Sequence, residues 1–345
     1  MRRYKRTLLA VALATSIITG TAGWASGSAQ RAVTGPPPGT DAWVEDRSIG
    51  RALPHPATAS ARQVAGFFRT LSPPQQGELV RRHPLVVGNL DGVPVALRYR
   101  ANSLTVHGTS FERLAAPGRQ ILAFDPRGRG QVAEVYGDLE RARTVSVVVP
   151  GADIDAGTFD RTGDPYGTPT GMAKSLRTAA GSGTAVIAWA GYTTPVGVGP
   201  DAATGELAEA GAVRLTRFGE GLKALALPAP VLFCHSYGSV VCGLGARDEG
   251  LNASGIVVFG SPGVRADSAR ELKTPVWAAK SADDWISKVP HVRFLGLGHG
   301  NDPTDPDFGA RPVPARQAHG HSGYFVPGTD SLHAFAAIAR TGGAR

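Results

Sequence analysis

The sequence predicts an α/β protein: a mostly parallel sheet with helices on both faces and an N-terminal helical extension. Three observations carry this. From residue 144 onward, continuous apolar, β-branched runs recur: TVSVVVPG, TAVIAWAGY, PVLFCHS and ASGIVVFGSPG. Such runs are how strands buried on both faces read. Helical segments separate them, among them TPTGMAKSLRTAAG, ATGELAEAGAVRLTRFGEGLKALAL and YGSVVCGLGARDEGL. Strands alternating with helices imply parallel pairing with crossovers on both faces. The third observation is size: 345 residues, 42% of them hydrophobic, suffice for one large domain with an extension.

Taken in order, residues 1–29 have a basic start (Arg2, Arg3, Lys5, Arg6), an apolar stretch from Leu8 to Ile18, then small residues with cut sites after Ala25 or Ala29. This reads as a secretory signal peptide, and its apolar part is short of the ~20 residues a membrane span needs. Its loss removes four positive charges and no acid, so the formal charge falls from +8 to +4. Residues 30–58 read as a flexible lead-in. Residues 59–143 read as a helical and turn-rich segment. Within it, ARQVAGFFRTL and SPPQQGELVRRHP read as helices, the second capped by Ser72 and stopped by Pro84. LVVGNLDGVPVALRYRANSLTVHG reads as turn-rich, and RQILAFDP and QVAEVYGD as strands. Residues 144–341 form the expected core.

The chemistry centres on PVLFCHSYGSVVC, residues 230–242. A strand, a sharp turn bearing Ser236 and a helix of small residues have the shape of a nucleophile elbow. That turn exposes Oγ and aims the helix N-terminus at the reacting atoms. The positions two before and two after the serine must be small, since strand and helix pass close together there. Gly238 satisfies this; Cys234 replaces the usual first glycine. A serine in an ordinary βα turn is the plain alternative.

Serine needs a base, and the base an orienting carboxylate, in the chain order serine, acid, histidine. Asp284, just past the strand TPVWAAKS, is the expected acid and its neighbour Asp283 the alternative. His321, in the glycine-flanked loop GHSGYF before the last helix, is the expected base, ahead of His319. His291, His299 and His333 read as packed or surface histidines. An oxyanion hole needs two backbone N–H donors. Tyr237 at the helix start is one. The loop VVVPGADID is expected to supply the other: Gly151 there resembles the glycine of the lipase His-Gly loop, a resemblance that implies Ala152 as donor, with Asp153 second. The Gly/Pro-rich loops 152–170 and 191–204 are expected to shape the pocket.

Cys234 and Cys242 are the chain's two cysteines. In an exported protein such a pair is a disulfide candidate. A disulfide needs Cα atoms within ~7 Å, whereas packed layers sit about 10 Å apart, so the spacing leaves the pairing open. The acids Asp302, Asp305 and Asp307 match no calcium loop, and the reading includes no metal and no cofactor. No basic face with interleaved aromatics suggests nucleic acid.

Together, VGNLDGVPVALRYRAN, VVVPG, AWAGYTTP, CHSYGS, FGSPGV, DPTDPDFGA and GHSGYF resemble the α/β-hydrolase superfamily. More narrowly, they resemble an actinobacterial hydrolase family of unknown function, over roughly residues 60–341. The resemblance implies the α/β-hydrolase fold and a Ser236–Asp284–His321 triad. The function expected is a secreted serine hydrolase of carboxylic esters, with a small-molecule or lipid ester as partner and no stable membrane span after signal cleavage. An acyltransferase or amidase on the same triad, or a non-catalytic binding protein on the scaffold, are the alternatives.

Overall fold

A computed structural model describes residues 30–247 and 250–344. The signal peptide expected over residues 1–29 lies outside the described residues. The core is an eight-stranded sheet in the order β1-β2-β4-β3-β5-β6-β7-β8. Its strands are β1 (Ile121–Asp125), β2 (Gln131–Tyr136), β3 (Thr144–Val149), β4 (Thr184–Ala190), β5 (Val231–His235), β6 (Gly255–Phe259), β7 (Val276–Ala279) and the two-residue β8 (Arg311–Pro312). β1 and β2 pair antiparallel, as do β2 and β4. From β4 through β3 and β5 to β8 every pairing is parallel. The sheet therefore reaches back beyond residue 144 and takes its first hairpin from the preceding segment.

The central strands are buried along their whole length. Their side chains alternate between two apolar layers, as the two-residue period of a strand requires. Leu232 and Cys234 of β5 face one layer, with Leu207, Phe218 and Val241. Val231 and Phe233 face the other, with Met172, Leu176 and Phe335. The first layer is covered by α8 (Glu206–Ala224) and α9 (Gly238–Arg247), the second by α6 (Pro169–Ala180) and α10 (Asp330–Thr341).

Among the described residues, five α-helices precede the sheet: α1 (Thr40–Glu45), α2 (Ala61–Arg69), α3 (Pro73–Arg82), α4 (Pro84–Asn89) and α5 (Val95–Val106). The two capped helices form as read, each with a full capping box, Ser60 with Gln63 and Ser72 with Gln75. Two readings change. Residues 84–106, expected as turn-rich, are α4 and α5. Polar residues on the buried face of α5 hid its periodicity: Arg98 and Asn102 are buried beside Val95, Leu97 and Ala101. They are tolerated because they are bonded. Arg98 Nε donates to the Gly88 carbonyl (3.1 Å), and Asn102 Nδ2 to the Gly88 and Ile121 carbonyls (3.2 and 3.0 Å). Asp91 accepts from Arg98 Nη1 and from Arg214 Nη1 of α8, tying the helical layer to the core.

The second change concerns residues 30–58, expected as a flexible lead-in. They are packed. Trp43 is fully buried and donates its indole N–H to the Pro54 carbonyl (2.8 Å). Gln30 and Val33 donate backbone N–H groups to Asp201 and Thr193. A tryptophan and a few backbone bonds anchor a segment whose composition reads as a linker. Among the described residues, no helix is long and apolar enough to cross a membrane.

Candidate active site

The site lies at the carboxyl ends of β3, β5, β6 and β7, where parallel sheets place their ligands. Ser236 follows β5 directly. Its φ is +52°, the left-handed region that side-chain-bearing residues seldom adopt. Its N–H donates to the Phe259 carbonyl of β6 (3.1 Å), and its carbonyl accepts from the Ser239 hydroxyl (2.6 Å). The sharpness of this turn explains the glycines around it. A Cβ on Gly238 would lie 2.5 Å from the carbonyl oxygens of both Val149 and Pro150. On Gly151 it would lie 2.6 Å from Ser236 Cβ and 3.0 Å from Oγ. Both distances are shorter than or at the limit of contact, so the loop after β3 approaches the serine only because these residues lack side chains.

Cys234 and Cys242 are joined in a disulfide, with Cα atoms 6.5 Å apart. The layer spacing did not decide the pairing, because strand and helix diverge from a common vertex at Ser236. Two residues before it and six after, they have not yet separated to a full layer distance. The position where a glycine is usual is thus occupied by a side chain directed into a bond with the returning helix.

Asp284, His321 and Ser236 come to the same edge of the sheet. His321 Nδ1 is 2.8 Å from Asp284 Oδ1. Asp284 Oδ1 also accepts from the Ile286 N–H (2.9 Å), and Oδ2 accepts from the Tyr324 hydroxyl (2.6 Å). The Asp284 side chain is fully enclosed. Burial alone would raise its pKa; the hydrogen bonds from His321 and Tyr324 and the attraction of His321 outweigh burial and hold it below the ordinary carboxylate value. An ionised Asp284 only accepts, so Nδ1 of His321 carries the proton and Nε2 presents a lone pair. The imidazole is held between two rings, His235 (centroids 4.5 Å apart) and Trp285 (4.6 Å). His235 Nε2 also lies 2.8 Å from the His321 carbonyl, so the residue before the serine holds the backbone of the histidine.

The alternatives sit elsewhere. Asp283 is exposed and pairs with the exposed His319 (3.2 Å), a second Asp–His pair displaced toward solvent. His299 is buried and lies 2.7 Å from the Ala202 carbonyl through Nε2. Of the acids weighed for metal binding, Asp302 is held by Lys280 and Thr304, and Asp305 caps a short turn through the Asp307 N–H. Among the described residues, no group of three or more His, Cys, Asp or Glu side chains could hold a metal ion.

For the oxyanion donors the structure separates Ala152 from Asp153. The Asp153 N–H donates to the Pro195 carbonyl (2.8 Å) and is occupied. The N–H groups of Ala152 and Tyr237 donate to no protein acceptor among the described residues. Asp153, with φ +62°, also accepts the Gly197 N–H through Oδ1 (2.8 Å), so loop 191–204 is fastened beside the serine. Loop 152–170 meets the histidine side, where Ser322 donates to Asp164 (2.9 Å). Tyr324, His235, Trp285 and Gly260 are site residues the sequence reading missed. Tyr324 had a signal: it stands three residues after His321 in the same GHSGYF motif. Gly260 follows β6 with φ +53°, and a Cβ there would press on Asp284 Oδ2 and His321 Cε1 at 3.0 Å.

Residues 125–294 match a family model described as Alpha/beta hydrolase, a span that includes Ser236 and Asp284 and ends before His321. With the sheet order and the elbow, this match shows an α/β-hydrolase fold. The chain is similar to the uncharacterized protein Rv2079 of Mycobacterium tuberculosis, 26% identical over 372 aligned residues covering 83% of this chain and 56% of the relative. It thus spans little more than half the length of that relative. It is also similar to the uncharacterized protein Rv0963c of the same species, 33% identical over 172 residues covering 46% of this chain and 63% of the relative. Among solved structures, similar chains include a dienelactone hydrolase from Anabaena variabilis (15% identity, TM-score 0.41, 61% of this chain and 90% of that one). Another is the esterase LipW from Mycobacterium marinum (13% identity, TM-score 0.40, 79% and 92%).

The buried histidines make the fold sensitive to acid. Burial and repulsion from His321 push His235 down to about 3, and burial pushes His299 down to about 4. The unfolded chain takes up these protons near the ordinary value of 6.5; the folded chain resists until far lower pH. Stability contributed by their burial as neutral rings is therefore full above about 6.5 and is lost as pH falls, by up to roughly 1.4 kcal/mol per pH unit for each histidine. Urea midpoints between pH 7 and 4.5 should fall accordingly. His235→Gln, which keeps an N–H donor but does not titrate, should shallow the fall; an unchanged pH dependence in that variant would contradict this origin.

Proposed function

We propose that the chain is a secreted serine hydrolase of carboxylic esters with lipid-like or acyl substrates. The observation that carries the reading is the convergence of an enclosed, triply bonded Asp284, a His321 with Nε2 unengaged, and a Ser236 on a strained turn. In this reading, Ser236 Oγ attacks the ester carbonyl and passes its proton to His321 Nε2. Asp284 holds the imidazole in the required tautomer and stabilises the imidazolium. The negative oxygen of the tetrahedral intermediate is received by the N–H groups of Ala152 and Tyr237. His321 then protonates the departing alcohol, and water, deprotonated by the same histidine, releases the acid from Ser236. The disulfide and the basic, apolar leader fit an exported protein, since such bonds persist in oxidising compartments.

Hydrolysis of a short soluble ester such as p-nitrophenyl butyrate tests the assignment. Ser236→Ala and His321→Ala should each lower kcat by roughly 10⁴-fold or more, in chains that keep their urea midpoint. Retained turnover in folded Ser236→Ala would overturn the reading. Tyr324→Phe should lower kcat by about tenfold, since it withdraws a charge-assisted hydrogen bond from Asp284. Unaltered turnover in that variant would show that Tyr324 does not help hold the carboxylate.

A further inference from the structure

Beside the site, the loop after β7 leaves large apolar side chains in water. Phe294 is 67% and Leu295 86% exposed, and Val292 and Leu297 are exposed beside them. This loop is continuous with the site at one end: Trp285, itself partly exposed, packs against His321 with the rings tilted by 45°. At the other end it is fastened to the opposite rim. Gly298 donates its N–H to the Ala203 carbonyl (2.9 Å). His299 Nε2, on a ring kept neutral by burial, lies 2.7 Å from the Ala202 carbonyl. That second rim, loop 191–204, exposes Val196 and Val198 and is itself tied to Asp153 beside the serine. Two apolar rims, fastened to each other, thus flank one active-site edge.

The first rim has a sign; on the second, the acids Asp153 and Asp201 are engaged by the N–H groups of Gly197 and Gln30. From Trp285 to Asn301 the chain carries Lys288 and Arg293, both exposed, and no aspartate or glutamate. Arg293 directly precedes Phe294 and Leu295, the two most exposed side chains of the loop. Scattered exposed apolar residues need no explanation; a cluster that borders an active site and is bounded by cations does. Apolar side chains at the tip with Lys and Arg behind them is the arrangement by which a segment enters the headgroup boundary of an anionic bilayer. A protein partner of ordinary charge would not call for the absence of acids from Trp285 to Asn301, the stretch between Asp284 and Asp302.

We propose that residues 285–298, with Val196 and Val198, form a docking surface for an anionic lipid surface, from which an ester-bearing lipid reaches Ser236. This rests on the hydrolase reading and deepens it by naming the substrate class, esters presented at an anionic lipid interface. Binding does not require turnover, so the two stand or fall separately.

The test is flotation or co-sedimentation with vesicles, using the full mature chain and its Ser236→Ala variant. The vesicles are phosphatidylcholine alone, or phosphatidylcholine with roughly a third phosphatidylglycerol, a fraction that gives an anionic surface. The expected result is binding to the anionic vesicles by both chains, weakened by salt and at least about tenfold weaker to phosphatidylcholine alone. Phe294→Asp/Leu295→Asp, both at exposed positions, should lose binding by about tenfold or more while hydrolysing a soluble short-chain ester at the wild-type rate. Absent binding, or binding that is indifferent to lipid charge or to the double substitution, would overturn the proposal. So would a dimer in sedimentation that the same double substitution dissolves, since the patch would then be covered by a second copy. Ester turnover lost in Ser236→Ala while vesicle binding fails would sink the docking surface and leave the hydrolase reading intact.

Discussion

The close approach of three backbones at one vertex governs the rest of the structure. β5 ends at His235, α9 begins at Gly238, and the loop after β3 passes over the join. Gly238 admits the carbonyls of Val149 and Pro150, and Gly151 admits Ser236. A single Cβ at either glycine would meet heavy atoms at about 2.5 Å, which no rotamer change can relieve because backbone stands on one side. This crowding accompanies the positive φ of Ser236 and brings Gly151 against its side chain, at the end where α9 begins. The disulfide between Cys234 and Cys242 spans the same vertex, so the strand and the helix are joined covalently where they diverge.

Electrostatics build on that frame. Asp284 is removed from water yet stays ionised, because each oxygen is bonded and three donors converge on the carboxylate. His235 is removed from water and stays neutral, which suits its place against His321: in the proposed mechanism a second cation there would repel the imidazolium. Two adjacent histidines thus play opposite parts. One remains uncharged and holds a carbonyl, and the other is bonded through Nδ1 to Asp284. The exposed Asp283–His319 pair has the same composition, and Asp283 also accepts from Ser281 and the Gly320 N–H, so enclosure rather than residue type or donors distinguishes the inner pair.

The parts legible in the sequence were those governed by local rules. Fully buried strands read as unbroken apolar runs, helical spacing announced α2, the Ser72 cap and its prolines announced α3, and the elbow was visible in CHSYG. The order of serine, acid and histidine selected Asp284 and His321 from several candidates. What escaped depends on contacts between distant segments. α5 hides its core face because Arg98 and Asn102 are buried on it, each bonded to carbonyls that only the fold supplies. The lead-in is ordered by Trp43, whose partner at Pro54 no local pattern announces. The disulfide was undecided because layer spacing is an average, and a vertex departs from it. The roles of Tyr324 and His235 follow from side chains meeting across loops, which spacing along one chain does not encode.

All of this converges on one claim, that Ser236 is an activated nucleophile. Labelling of the folded mature chain with a fluorophosphonate probe, followed by peptide mapping, tests it most directly, because the probe requires no knowledge of the substrate. A single label on the peptide containing Ser236, absent in His321→Ala, is the predicted result. Folded protein that takes no label, or takes it at the same rate without the His321 imidazole, would contradict the account.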